Sequence, residues 1–219
     1  MPNAAAVDTW DMVVVHRFFR REFARLPATI RAVPDGDTAR ADVVGGWLAD
    51  VAGALHHHHT GEDELLWPAL RERVAVRADL VARMEEQHDR MSELLHTVDE
   101  LLPGWRRSAA VGDRNKLADV VEHASRVLDE HLVEEELWIL PLVAQHITHE
   151  EWATLGERGK DSLPKAGKKA FLILGAILAD ADVEERTRFL KMLPPPPRIL
   201  YRLIGERIYR SEITRIHGS

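Results

Sequence analysis

The chain predicts an all-α fold, an up-down-up-down four-helix bundle with additional C-terminal helices. Apolar residues repeat with helical period along almost every segment, and no stretch alternates with period two. Four long helical stretches are separated by turn signals, the pattern of an antiparallel bundle. A length of 219 residues, 45% hydrophobic and 30% charged, suits one ordinary domain with an appendage. The first helix is expected from about Asp8 to Leu26, with Val13, His16, Phe19, Phe23 and Leu26 on one stripe. A turn at Val33-Pro34-Asp35-Gly36-Asp37 precedes the second helix, which Asp37 or Thr38 can cap. That helix runs through a histidine run toward Val74, and Pro68 kinks it or starts a new turn. The third helix covers Ala78 to Leu102 and stops at Pro103-Gly104. The fourth runs from about Asp113 to Ile147, with Pro141 late in it. The expected division is a bundle over residues 1–150 and a basic helical extension over 151–219 that packs on it.

Composition removes several functions. With no cysteine there is no disulfide scaffold, thiolate metal site, iron–sulfur cluster or cysteine nucleophile. A net charge of −7 argues against a chain that coats nucleic acid, and none is expected as a partner. No basic segment leads into an apolar one at the start, and no run of about 18 apolar residues occurs. A cytoplasmic location is expected. Residues 156–219 carry 13 Lys/Arg against 8 Asp/Glu, leaving 16 against 28 for residues 1–155. This tail predicts helices over Lys165–Asp180, Glu184–Met192 and Arg198–Ile216, broken by four prolines at 194–197. In the last of them Ile199, Leu200, Leu203, Ile204 and Ile208 oppose Arg198, Arg202, Arg207 and Arg210. Such a helix packs its apolar stripe on the bundle, or docks on an anionic membrane or a partner protein.

Twelve histidines, four of them consecutive, carry the chemistry. The segment from His58 through Glu62 to Pro68 overlays the segment from His131 through Glu135 to Pro141, an offset of 73 residues. Each pair is spaced i, i+4, so an imidazole and a carboxylate share one helix face. His16 and His88 lie 72 residues apart, each about forty residues upstream of one pair. The chain therefore reads as a duplicated helical hairpin, histidine then HxxxE, twice. His59 with Asp63 has the same spacing and is the alternative inward pair, and of four adjacent histidines only one is expected to point squarely inward. His96, His123, His146, His149 and His217 fall outside the repeat and are expected at the surface or behind the ligands.

Two hairpins deliver four imidazoles and two carboxylates to one bundle axis. Carboxylates in an apolar bundle are costly unless a cation lies between them. A pair of divalent metals bridged by Glu62 and Glu135 would compensate them. Imidazole and carboxylate without thiolate suit iron, manganese or zinc.

The pattern H…HxxxE…H…HxxxE, carried by His16, His58, Glu62, His88, His131 and Glu135, resembles the hemerythrin-like, or HHE cation-binding, family over about Asp8 to Ile147. The resemblance implies a centre of two Fe ions with a bridging oxo or hydroxo ligand, held by those six residues, that meets O2, NO or H2O2. Oxygen-carrying hemerythrins place a further histidine one turn from the third-helix ligand, where this chain has Met84 and Ser92 around His88. The set is therefore one histidine short unless His57, His59 or another residue supplies it. A short set leaves both irons open and disfavours simple O2 carriage.

Three functions remain open on the sequence: a diiron protein that binds and reacts with O2, NO or peroxide; a diiron enzyme that decomposes peroxide or reduces NO; and an iron-holding protein. No GxSxG, P-loop or GxGxxG motif competes.

Overall fold

A computed structural model describes residues 6–74, 77–161 and 167–218. The described residues are helical, without strands. Four rods form the bundle. The first is α1 (Trp10–Arg31); the second is α2 (Thr38–Gly61), continued through a π-helical turn at Glu62–Leu66 into α3 (Trp67–Arg73). The third is α4 (Ala78–Ser108), and the fourth is α5 (Val111–Glu134), continued through a π-helical turn at Glu135–Ile139 into α6 (Leu140–His146). Helix α1 packs on α2 and α5, and α4 packs on the same two, closing a four-membered ring.

The helix ends follow local chemistry. Gly36 takes a positive φ of 76° in the turn before α2, a conformation that glycine adopts without steric cost. Asp37 then caps α2 by accepting the Arg40 N–H at 2.9 Å. Two helices outrun their expected ends. Helix α1 continues past Pro27 to Arg31, and α4 past Pro103 to Ser108. An interior proline costs about 3 kcal/mol. Beyond the two prolines Ile30 and Trp105 are fully buried, and burial of one large apolar side chain contributes about 1.5–3 kcal/mol. Packing offsets the break.

The extension contains an unexpected helix, ahead of the first expected tail helix. Helix α7 (His149–Asp161) starts at a capping box, in which Thr148 Oγ accepts the Glu151 N–H and Glu151 Oε2 accepts the Thr148 N–H. Then come α8 (Lys168–Ile177), a 3₁₀ turn at Leu178–Asp180, and α9 (Val183–Lys191). The chain ends with α10 (Pro195–Leu200), a π turn at Tyr201–Gly205, and α11 (Glu206–His217). Lys165, the expected start of the first tail helix, lies outside the described residues. Leu172, Ile173, Ala176, Ile177 and Ile216 join the bundle's apolar core. The Tyr209 ring occupies the space that a Cβ at Gly175 would fill, so α8 and α11 touch through the missing side chain.

The last tail helix corrects an expectation. Its apolar stripe does not pack on the bundle over the first turns: Ile199, Leu200, Leu203 and Ile204 are exposed, while Tyr201 and Gly205 face inward. The π turn at Tyr201–Gly205 changes the register of the face. No described helix is long and apolar enough to cross a membrane.

Candidate metal centre

The two π turns each start four residues after a motif histidine, His58 or His131, and lie 73 residues apart, like the motifs themselves. In each, a backbone N–H bonds five residues back: Trp67 to the Glu62 carbonyl and Leu140 to the Glu135 carbonyl. Pro68 and Pro141 follow directly. A proline has no N–H and crowds the carbonyl four residues before it, so the preceding turn opens to the wider π spacing. The wide turn opens on consecutive acidic residues, Glu62-Asp63-Glu64 in one hairpin and Glu135-Glu136 in the other.

The structure brings His16, His58, Glu62, His88, His131 and Glu135 together in one buried cluster. Glu62 lies with one oxygen 3.3 Å from His58 Nε2 and the other 3.6 Å from His88 Nε2. Glu135 Oε2 lies 3.3 Å from His16 Nε2 and 3.6 Å from His131 Nε2. Each carboxylate thus faces one histidine of its own hairpin and one of the other. Both are fully buried.

His59 joins them, which corrects the expectation that only one of the adjacent histidines points inward. Its ring stacks on His88 with centroids 4.1 Å apart and meets His131 edge-on at 5.1 Å. Successive helix residues are turned by about 100°. His58 and His59 therefore straddle Glu62, four and three residues ahead of it, and enter the wide interior from two sides. His57 turns to Arg158 instead, and His56 is exposed. The alternative pairing of His59 with Asp63 is not formed; Asp63 faces His88. Two donor sets result, His59, Glu62, His88 and His131 in one, and His16, His58 and Glu62 in the other, each with ligand atoms within 4.8 Å of one another. The cluster thus contains a fifth imidazole, and it comes from the second helix rather than from the turns around His88.

A surrounding layer fixes three of the rings. His88 Nδ1 lies 2.6 Å from Asp63 Oδ1, His16 Nδ1 2.9 Å from Glu136 Oε1, and His131 Nδ1 3.0 Å from Gln87 Oε1. These acceptors place the proton on Nδ1 and turn the bare Nε2 of each ring toward the cluster. The acceptors are themselves held. Arg20 donates to Glu136 at 2.7 Å, and Gln87 donates to Glu134, which pairs with Arg83.

Electrostatics fit a cation. Nε2 of His16, His58 and His59 and both oxygens of Glu62 and Glu135 are buried without a hydrogen-bond partner among the described residues. The Nε2 atoms of His88 and His131 face each other at 3.2 Å. Two lone pairs at that distance repel unless a proton or metal ion lies between them. Burial, reinforced by the neighbouring rings, pushes His58, His59 and His131 well below the usual imidazole range, so they stay neutral, the form that ligates metal. Burial pushes Glu62 well up, with the Glu135 charge adding to it, and burial also raises Glu135. A cation between them reverses that penalty.

Of the remaining histidines, His96 is exposed beside Glu100. His217, expected at the surface or behind the ligands, instead lies 2.9 Å from the buried Glu22 and 2.9 Å from Thr29 Oγ1.

No curated protein and no solved structure matches the chain. Residues 7–143 match the Hemerythrin HHE cation binding domain. That span contains both donor sets, both π turns and all four rods of the bundle up to Val143, and the chain belongs to the hemerythrin HHE cation-binding family.

Proposed function

We propose that the cluster holds two iron ions, with Glu62 and Glu135 shared between them, and that the loaded protein binds and reacts with O2, NO or hydrogen peroxide. One observation carries this reading: Glu62 belongs to both donor sets, and Glu135 Oε2 lies between His16 of one set and His131 of the other. His59, His88 and His131 supply three imidazoles to one side, and His16 and His58 supply two to the other. A bound iron pair supplies electrons and open coordination positions to a small oxidant or to NO. The residues of the chain position it. Asp63, Glu136 and Gln87 hold three rings in one tautomer, and Phe19 packs against the His58 ring with centroids 5.3 Å apart.

The exogenous ligand takes the His16/His58 side in this reading, because that side has fewer protein donors. This favours ligand binding over a centre open on both sides, so binding and sensing stand ahead of peroxide decomposition or NO reduction. Metal analysis with an optical spectrum of protein purified in air tests the reading. The expected result is about two irons per chain, and a Glu135→Ala variant that loses most of both. One full equivalent retained by that variant would sink the shared-carboxylate arrangement. Anaerobic reduced protein mixed rapidly with O2, followed by a peroxide-consumption assay, separates binding from turnover.

A further inference from the structure

A cavity of about 150 Å³ lies in the seam between the bundle and its C-terminal extension. Phe19, Ala54 and His58 wall it from the bundle side, and Trp152, Ile177 and Leu193 from the tail. The tail residues lie beyond the span that matches the family, so this seam is a property of this chain's extension. Its walls are almost wholly apolar. Their polar side chains other than His58 are already engaged: Asp11 accepts from Trp152, His57 meets Arg158, and Lys160 pairs with Glu157. Of the seven clustered residues, His58 is the one that keeps appreciable exposure, 13% of its side chain. The cavity therefore adjoins the edge of the centre that has fewer imidazoles.

Size and lining select the occupant. An apolar cavity of this volume has room for a molecule such as benzene, whereas one small molecule of the size of water needs about 30 Å³. The space is several times what a diatomic gas fills, and no unengaged polar group waits for a charged head. We propose that the seam cavity binds one compact, uncharged hydrocarbon group of single-ring size against the His58 edge. The proposal deepens the metal reading by naming the class of molecule beside the centre, but the cavity itself does not require metal.

Titration of metal-free and iron-loaded full-length protein with benzene and toluene, followed by calorimetry and thermal melts, tests it. Saturable one-to-one binding is expected in both forms, with a rise in melting temperature as ligand is added. Ala54→Phe should fill the space and weaken binding at least tenfold. Leu155→Trp, on the tail side, should do the same if the first variant fails to fold. In iron-loaded protein the bound ring should also shift the visible spectrum. Absence of saturable binding, or binding unchanged in a folded cavity-filling variant, would overturn the proposal. Ring binding in a protein that refuses iron would leave the cavity standing and remove the metal reading.

A second inference rests on a different observation. Ile199, Leu200, Leu203 and Ile204 are exposed at 55%, 46%, 74% and 44% on adjoining turns at the start of the last tail helix. Arg198, Arg202 and Arg207 make no ion pair among the described residues. An amphipathic helix of this kind lies in an anionic lipid surface with its aliphatic side chains inserted and its arginines reaching the headgroups, whereas a second copy of the chain offers the same unpaired cations and no anion to meet them. We infer that this face docks on an anionic membrane surface. Co-sedimentation with vesicles containing about 30% phosphatidylglycerol should recover the protein, and vesicles of phosphatidylcholine alone should not. Leu203→Asp should reduce recovery about tenfold, and salt should weaken it. Failure to bind, equal binding to both vesicles, or a dimer that Leu203→Asp dissociates would overturn the inference.

Discussion

Asp63 of the first hairpin holds His88 of the second, with Oδ1 2.6 Å from Nδ1, and the residue equivalent to Asp63 by the repeat, Glu136, holds His16 of the first at 2.9 Å. The hairpins are thus locked crosswise. Each wide turn sends its first carboxylate into the cluster and its second to the back of the partner hairpin's imidazole. The arrangement follows from the π turn, which presents two consecutive acidic residues to the interior side of the rod.

That crossing predicts a symmetric pair of variants. Asp63→Ala and Glu136→Ala should each lower metal affinity about 10- to 100-fold, the usual effect of losing a carboxylate behind a ligating histidine. Competition with a chelator measures it. Asp63→Asn should recover part of the loss, because its amide oxygen still accepts from Nδ1. A full loss in one variant and none in the other would show that the two hairpins are not equivalent.

The adjacent histidines make a second prediction. His59→Ala removes one of three imidazoles from one set, while His58→Ala removes one of two from the other. Both should reduce metal content, and His58→Ala should reduce it further on its side. Metal analysis of the two proteins purified alike decides between this and a passive His59. A His59→Ala protein with full metal content would return the centre to four histidines.

How much of this was legible in the sequence depended on whether a signal was periodic. The repeat of 73 residues exposed the HxxxE pairs, because an i, i+4 spacing fixes a shared face in any helix. The number of inward histidines was not legible. It depends on the width of the bundle interior at His58 and His59, which the opposing helices set. The ends at Pro27 and Pro103 were misplaced for a related reason: local propensity stops a helix there, and burial of Ile30 and Trp105 carries it on. Helix α7 was within reach, since Thr148 and Glu151 have capping-box spacing. The inward turn of Tyr201 was not, because a π turn shifts the face by one residue without a clear sequence mark.

A third prediction concerns the metal-free protein. Two carboxylates are buried there without hydrogen-bond partners, which is costly in an apolar interior. Glu62→Gln and Glu135→Gln should therefore abolish metal loading and yet melt at or above the temperature of the metal-free parent. Thermal melts in the presence of a chelator check this. Lower melting temperatures in both variants would mean that the carboxylates stabilise the empty fold through contacts other than metal.

The last prediction follows the tail to its anchor. Glu22 is fully buried in α1 and accepts from Trp47 Nε1 at 2.8 Å, Arg21 Nε at 2.9 Å and His217 of α11 at 2.9 Å. Burial alone would raise its pKa, but the His217 hydrogen bond, the Arg21 charge and the Trp47 N–H together hold it below the usual 4.5. A carboxyl with a depressed folded-state pKa contributes stability above its unfolded value and loses it as pH falls through the folded one. The clamp should therefore be fully present at neutral pH and weaken below about pH 4.5. Glu22→Gln removes the charge and should cost about 1–3 kcal/mol at neutral pH, since hydrogen bonds to a charged group are the stronger kind. It should also flatten the acid limb of the stability curve, because the lost interaction no longer titrates. Truncation after Ile147 deletes His217 and leaves Glu22 with two donors, while all seven clustered residues remain. It should lower stability and expose the seam while leaving the His/Glu cluster of the bundle complete. Urea titrations across pH 3 to 7 on the parent, Glu22→Gln and the truncated chain compare the three directly. An acid limb as steep in Glu22→Gln as in the parent would place the acid sensitivity elsewhere and release the tail from this anchor.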